Sequence, residues 1–251
     1  MTFVPEGWHP AADELNGKTI LITGAGDGIG KAVALACARH GAEVLLLGRT
    51  EKKLEAVYDT IMTEELATPG IIPCDLNEVS HDALCELGRE LGSSINKLDG
   101  LVHNASILGD RKSMAQTSVA TWNQVMQVNV NAPFMLTQVM LPLLDAAPEA
   151  SVVFTSSGVG RKGRAFWGAY ATSKFATEGM MQVLADELTN TTKIRVNSLN
   201  PGAINTAMRR MAYPAEPPTS NPDPDALVSA WLYLMSNDSA ALNGQALSVQ
   251  S

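Results

Sequence analysis

Between Lys18 and Ala38 the chain passes from a short β-branched apolar run, Lys18-Thr19-Ile20-Leu21-Ile22-Thr23, into a glycine-rich turn, Gly24-Ala25-Gly26-Asp27-Gly28-Ile29-Gly30. A helical pattern carried by Ala32, Val33, Leu35, Ala36 and Ala38 follows at once. A strand that enters a helix through glycines brings backbone N–H groups and a helix N-terminus to one point, where a pyrophosphate can be held. Gly24, Asp27, Gly28, Ile29 and Gly30 are therefore candidate dinucleotide contacts. The spacing, Gly24-x-x-x-Gly28-x-Gly30, differs from the commoner G-x-G-x-x-G, and a plain turn with a helix cap would use the same residues.

The pattern then repeats. Ala42 to Leu47, Ile71 to Leu76, Leu98 to Ala105, Ser151 to Thr155, Lys193 to Asn200 and Gln245 to Val249 read as further strands, separated by helical patterns at Thr50 to Leu66, Val79 to Leu91, Thr117 to Leu144, the Tyr170 helix through Leu188, and Asp225 to Met235. Alternating strands and helices of this length imply a Rossmann-like, doubly wound parallel sheet of about seven strands with helices on both faces. No linker divides the 251 residues, so one domain over 1–251 is expected.

The formal net charge of −8 argues against nucleic acid or an anionic membrane surface as the main partner. No segment has the roughly 18 uninterrupted apolar residues that a membrane span needs. The three cysteines (Cys37, Cys74, Cys85) and four histidines (His9, His40, His81, His103) lack metal-ligand spacing. Reduced cysteines and no signal pattern at the N-terminus point to a cytoplasmic protein without a metal, acting on a small molecule.

In open α/β sheets, ligands bind beyond the carboxyl ends of the strands. The second strand ends at Gly48-Arg49, where many NAD-binding folds carry a carboxylate for the ribose 2′-hydroxyl. A guanidinium there suits a 2′-phosphate instead, so Arg49 points to NADP(H) over NAD(H), while Asp27 in the turn pulls the other way. Asp75 and Leu76, ending the third strand, meet an adenine edge or cap the next helix. Asn104 and Ala105 end the fourth strand.

Ser157 stands just beyond the fifth strand. Tyr170 and Lys174, four apart, share one helix face, and an ammonium beside a phenol favours the phenolate, which would make Tyr170 an acid/base group working near neutral pH. Pro133 has no N–H, so the Asn129 carbonyl loses its helical partner; the result is a bare kink or a place for a water. Gly158, Gly160 and Gly163 are expected to make the loop before Tyr170 mobile. Pro201-Gly202 and Thr206 end the sixth strand. Residues 203–225, irregular from Ala207 onward with Met208, Met211 and Tyr213 among prolines, read as a substrate lid over a moderately apolar pocket without clustered arginines.

Taken together, Thr23-Gly24-x-x-x-Gly28-Ile29-Gly30, Asn104-Ala105, Asn129, Ser157, Tyr170-x-x-x-Lys174 and Pro201-Gly202-x-x-x-Thr206 resemble the short-chain dehydrogenase/reductase family from Gly17 to Val249. Met126 to Leu144 and Phe154 to Glu187 are most similar to its bacterial YciK-type oxidoreductases. The resemblance implies hydride transfer between NADP(H) and a small carbonyl or alcohol. In it Tyr170 is the proton donor or acceptor, Lys174 lowers its pKa and holds the nicotinamide ribose, Ser157 orients the substrate oxygen, and Asn129 holds a relay water. A homodimer or homotetramer is expected. The family's Asn-Asn-Ala-Gly stands here as His103-Asn104-Ala105-Ser106, and the chain ends at Ser251 without the glycine-rich tail many members carry. At this level a non-catalytic dinucleotide sensor on the same fold stays open, as does an epimerase or dehydratase.

Overall fold

In the computed structural model, which describes residues 3–250, seven parallel strands form one sheet in the order β3-β2-β1-β4-β5-β6-β7. They are β1 (Thr19–Thr23), β2 (Glu43–Gly48), β3 (Gly70–Pro73), β4 (Gly100–His103), β5 (Ala150–Thr155), β6 (Ile194–Asn200) and β7 (Ala246–Ser248). Residues 1, 2 and 251, the ends of the expected domain, lie outside the described residues. The register pairs Ile22 with Val102, His103 with Phe154 and Thr155 with Leu199, which aligns the carboxyl ends of the four central strands along one edge. Strand order reverses between β1 and β4, opening a crevice there.

Helices cover both faces: α1 (Gly28–Arg39), α2 (Glu51–Thr63), α3 (His81–Ser94), α4 (Val119–Met126), α5 (Ala132–Asp145), α6 (Gly168–Leu188), α7 (Ala207–Ala212) and α8 (Ser229–Met235). Two apolar layers result. One packs Val33, Leu54 and Trp231 against the β1 residues Ile20 and Ile22, and the other packs Leu136, Met140 and Met181 against Leu21 and Val152 on the opposite face. The alternation of Ile20, Leu21 and Ile22 between the layers is the strand's two-residue period, and it explains why a central parallel strand is apolar throughout.

Helix starts follow local chemistry. Asp27 caps α1 through its carboxylate on the Gly28 N–H, and Ser80, Ser118 and Thr206 cap α3, α4 and α7 with their hydroxyls. Three expectations are revised. The third strand stops at Pro73, leaving Asp75 in the following turn, where its carboxylate accepts from the Asn77 N–H at 2.9 Å. Residues 203–225 are not irregular from Ala207, because the Thr206 cap starts α7. Nor is the glycine loop simply mobile: Gly158–Gly160 forms a 3₁₀ turn, and Gly160 lies against the α6 backbone, where an added Cβ would stand 2.7 Å from Lys174 Cβ. Its glycine serves close approach.

Pro133 takes a different form from a bare kink. The segment Gln127–Asn131 is one π-helical turn between α4 and α5, and the Ala132 N–H reaches back to the Gln127 carbonyl. The wider turn absorbs the donor missing at Pro133, and π-turns of this kind recur at functional sites.

Candidate active site

Two adjoining cavities run along the carboxyl edge of the sheet, of about 320 Å³ and 370 Å³, sharing Gly24, Asp27, Ala105, Ser106 and Ala207 on their walls. The shared wall is the glycine turn, held by one hydroxyl. Thr23 Oγ1 accepts from both the Asn104 and Ala105 N–H groups at 3.0 Å, and the Asn104 amide donates to the Thr23 carbonyl at 3.1 Å. The His103-Asn104-Ala105-Ser106 loop is thereby fixed to the end of β1. Gly24 sits at φ +69°, and a Cβ on it would stand 3.0 Å from Ala105 Cα. Gly30 lines neither cavity; it packs on the Gly24 carbonyl and the Asn104 side chain, so it shapes the turn from behind.

The second cavity collects Gly48, Arg49, Asp75 and Leu76, the expected adenosine-side residues. It also contains Lys53, which the sequence did not single out. Lys53 Nζ donates to Asp27 at 2.5 Å, and that bond holds the Asp27 carboxyl below its ordinary range. The carboxylate that counted against a 2′-phosphate is thus already paired, and Arg49 stands beside it in the cavity wall.

The first cavity gathers the reactive groups. Gly28, Ile29, Pro201, Gly202 and Thr206 line it on the turn side, with Ser157, Tyr170 and Lys174 opposite. Ser157 follows β5 in extended conformation, and Tyr170 and Lys174 lie buried one turn apart on α6. Lys174 Nζ donates to the Thr155 carbonyl at 2.8 Å and lies 5.6 Å from the centre of the Tyr170 ring. Burial pushes the Tyr170 phenol up to about 12, the Ser157 and Ser106 hydroxyls acting against it. This corrects the expectation of a phenol drawn toward neutrality: burial outweighs the nearby groups, and the ammonium bonds a carbonyl. Burial also pulls Lys174 down to about 8, opposed by Glu178 one turn on, a buried carboxylate that accepts from Ser156 Oγ at 2.5 Å and Ser198 Oγ at 2.6 Å.

Asn129 is buried but lines neither cavity. Its side-chain oxygen accepts from the Ile107 N–H at 2.8 Å, and its amide donates to the Ile107 carbonyl and to Ser173 Oγ, each at 3.0 Å. It thus joins the π-helical turn, the loop after β4 and α6.

Several lining residues escaped sequence reasoning. Ser106 appeared there only as a departure from the family pattern, yet its hydroxyl faces Tyr170. Trp167 lines the cavity next to Tyr170, their rings 5.9 Å apart. Arg209 lines it too, and with Arg111 and Arg164 it converges on Tyr213, so the expected absence of clustered arginines does not hold. Positions 111 and 164 sit on separate loops and position 209 on α7, and only the fold makes them neighbours.

Comparison with known proteins agrees with this geometry. The family model described as short chain dehydrogenase matches residues 18–217. The Escherichia coli K12 oxidoreductase YciK, itself uncharacterised, is 47% identical over 243 residues, 97% of this chain and 96% of that protein. A Shigella flexneri 2a structure solved with NADP has a TM-score of 0.93 at 47% identity, covering 96% of this chain and all of that one. An E. coli CFT073 structure complexed with NADPH has the same TM-score at 48% identity, with 96% and 100% covered. With the strand order, the glycine turn and the Tyr170–Lys174 pair in place, the chain belongs to the short chain dehydrogenase family.

Proposed function

We propose that the protein is an NADP(H)-dependent carbonyl reductase or alcohol dehydrogenase. The observation that carries this reading is the pair of adjoining cavities, one walled by Arg49 and the Asp27–Lys53 pair, the other by Ser157, Tyr170 and Lys174. A dinucleotide laid across their shared glycine wall has its 2′-phosphate by Arg49 and its nicotinamide by Tyr170. The NADP and NADPH found in the two related structures support the choice. Gly24, Gly28 and the α1 N-terminus hold the pyrophosphate. Asp75 and Leu76 border the adenine, while Asn104, Ala105, Pro201, Gly202 and Thr206 border the nicotinamide half.

The bound cofactor supplies the hydride. Ser157 and Tyr170 hold the substrate oxygen, and Tyr170, protonated at neutral pH, gives it a proton as negative charge develops there. The Lys174 ammonium, buried beside the ring, stabilises the phenolate left behind. Asn129, on the π-helical turn and bonded to Ser173 of α6, is the place for a water that returns a proton toward Lys174. Residues 203–225 close over the substrate. Exposed Phe134 on α5 and Phe175 and Val183 on α6 support a homo-oligomer. The test is a fluorescence titration with NADPH and NADH, then a carbonyl panel at saturating cofactor. Tight NADPH binding with turnover is expected, and binding without any turnover would overturn the enzyme reading.

A further inference from the structure

The lid end of the substrate cavity carries more positive charge than the chain as a whole would suggest. Tyr213, just after α7, is approached by three guanidinium groups. Arg209 lies over its ring at 3.9 Å, Arg111 stands 4.9 Å from the same ring and 4.7 Å from that of Trp167, and Arg164 donates to its hydroxyl at 2.9 Å. Among the described residues only Glu216 answers them, accepting from Arg209 Nε at 2.6 Å and Nη2 at 2.7 Å. The nearby Asp110 is already paired with Lys112. Arg111 spends one donor on the Ala212 carbonyl and Arg164 one on Tyr213, and neither has a carboxylate partner among the described residues. In a protein of net charge −8, two uncompensated guanidinium groups beside a third form a local excess of positive charge.

The cluster is joined to the reaction centre. Trp167, Ala212 and Arg209 line the cavity that holds Ser157 and Tyr170, and Trp167 is the ring against which Arg111 stacks. Stacking leaves the edge of a guanidinium free for a planar anion, and such bonds are charge-assisted. The loop that delivers Arg164 also passes through Phe166 at φ +69°, a conformation a phenylalanine rarely takes and one the surroundings must hold. A purely mechanical lid latch would be served by the Trp167–Tyr213 contact at 5.9 Å without three cations.

We infer that the substrate of this site carries an anionic oxygen group, a carboxylate or phosphate, remote from its reacting carbonyl, and that Arg111 and Arg164, exposed just outside the cavity wall to which Arg209 contributes, hold it. The inference rests on the reductase reading above.

The test compares three aldehydes, 4-carboxybenzaldehyde, 4-formylphenyl phosphate and the neutral methyl 4-formylbenzoate, with the full chain and saturating NADPH. Wild type is set beside Arg164→Gln, Arg111→Gln and the charge-keeping Arg164→Lys. At least one anion should exceed the ester in kcat/KM by about tenfold, the advantage collapsing in the Gln variants and partly returning in Arg164→Lys. Which anion gains identifies the group as carboxylate or phosphate. An ester used as well as both anions, or an advantage that survives both Gln substitutions, overturns the inference while leaving the reductase standing. If no aldehyde turns over, calorimetric binding of terephthalate and of phenyl phosphate to the NADPH-loaded protein decides. Binding of either that Arg164→Gln weakens about tenfold upholds the site without the reductase; no binding, or binding that variant does not weaken, overturns it.

Discussion

The Lys174 ammonium donates to the carbonyl of Thr155, the last residue of β5, at 2.8 Å. This bond fixes a buried cation beside the Tyr170 ring without requiring the tyrosine to ionise, and it separates two roles that a shared helix face had suggested were one. Tyr170 keeps its proton, and Lys174 supplies a charge at a set place.

Tyr170→Phe should lower carbonyl reduction by about 10²–10⁴, the usual worth of a positioned acid. The ring and its packing survive, so NADPH affinity in a fluorescence titration should stay near that of the wild type. Retained turnover would remove Tyr170 from the mechanism.

The Lys174 value of about 8 sets a pH dependence. Below it the ammonium is charged and can stabilise a phenolate; above it the charge is lost. Reduction at saturating NADPH should therefore fall as pH rises through about 8. Glu178 raises the Lys174 pKa, so Glu178→Gln should move this inflection to lower pH. An inflection that does not move would mean another group sets it.

Arg49→Asp should shift the NADPH-to-NADH affinity ratio toward NADH by about tenfold or more, since a charge-assisted bond is replaced by repulsion. Lys53→Met should act in the same direction by leaving Asp27 unpaired. Parallel titrations with both dinucleotides check this, and an unchanged ratio in both variants would place the 2′-phosphate elsewhere.

Gly160→Ala forces a methyl group to within 2.7 Å of Lys174 Cβ and 2.9 Å of its backbone carbonyl oxygen. Overpacking of this kind costs about 1–3 kcal/mol. Denaturant melts should show that loss, and kcat should fall with it because the displaced element carries the lysine.

His103 stands where the family carries asparagine. Burial, with the Lys174 charge, brings its pKa down to about 3 from the usual 6.5. The folded state then binds fewer protons than the unfolded one between those values, so stability rises with pH across the window and is lost on acidification. The slope is roughly 1.4 kcal/mol per pH unit. His103→Asn should flatten the acid limb of a stability–pH curve; an unaltered limb would assign acid sensitivity to other groups.

Much of this molecule was legible in the sequence because its signals are local and periodic. Strands such as Thr19–Thr23 are apolar runs ended by turn residues, and the glycine turn, Ser157, Tyr170 and Lys174 sit at fixed places relative to them. What escaped depends on three-dimensional neighbours. The tyrosine pKa was misjudged because spacing shows the ammonium but not the carbonyl that takes its hydrogen bond, nor the depth of burial. Gly160 looked like freedom and is a contact surface, since its demand comes from another element's backbone. Lys53 escaped because nothing in its spacing shows that it turns across to Asp27 on the glycine turn. Arg111, Arg164 and Arg209 are about 50 residues apart in sequence and meet around one ring.

The Thr23 hydroxyl takes both N–H groups of Asn104 and Ala105 and donates to the Val102 carbonyl at 3.3 Å. One side chain thus fastens two neighbouring strands at the point where the sheet changes direction. The floor of the crevice is set when the chain folds, before any ligand arrives, while residues 203–225 are held by side-chain pairs such as Arg209–Glu216. Variation in residues 203–225 and in the three arginines around Tyr213 can therefore reshape the cavity wall while that floor stays in place.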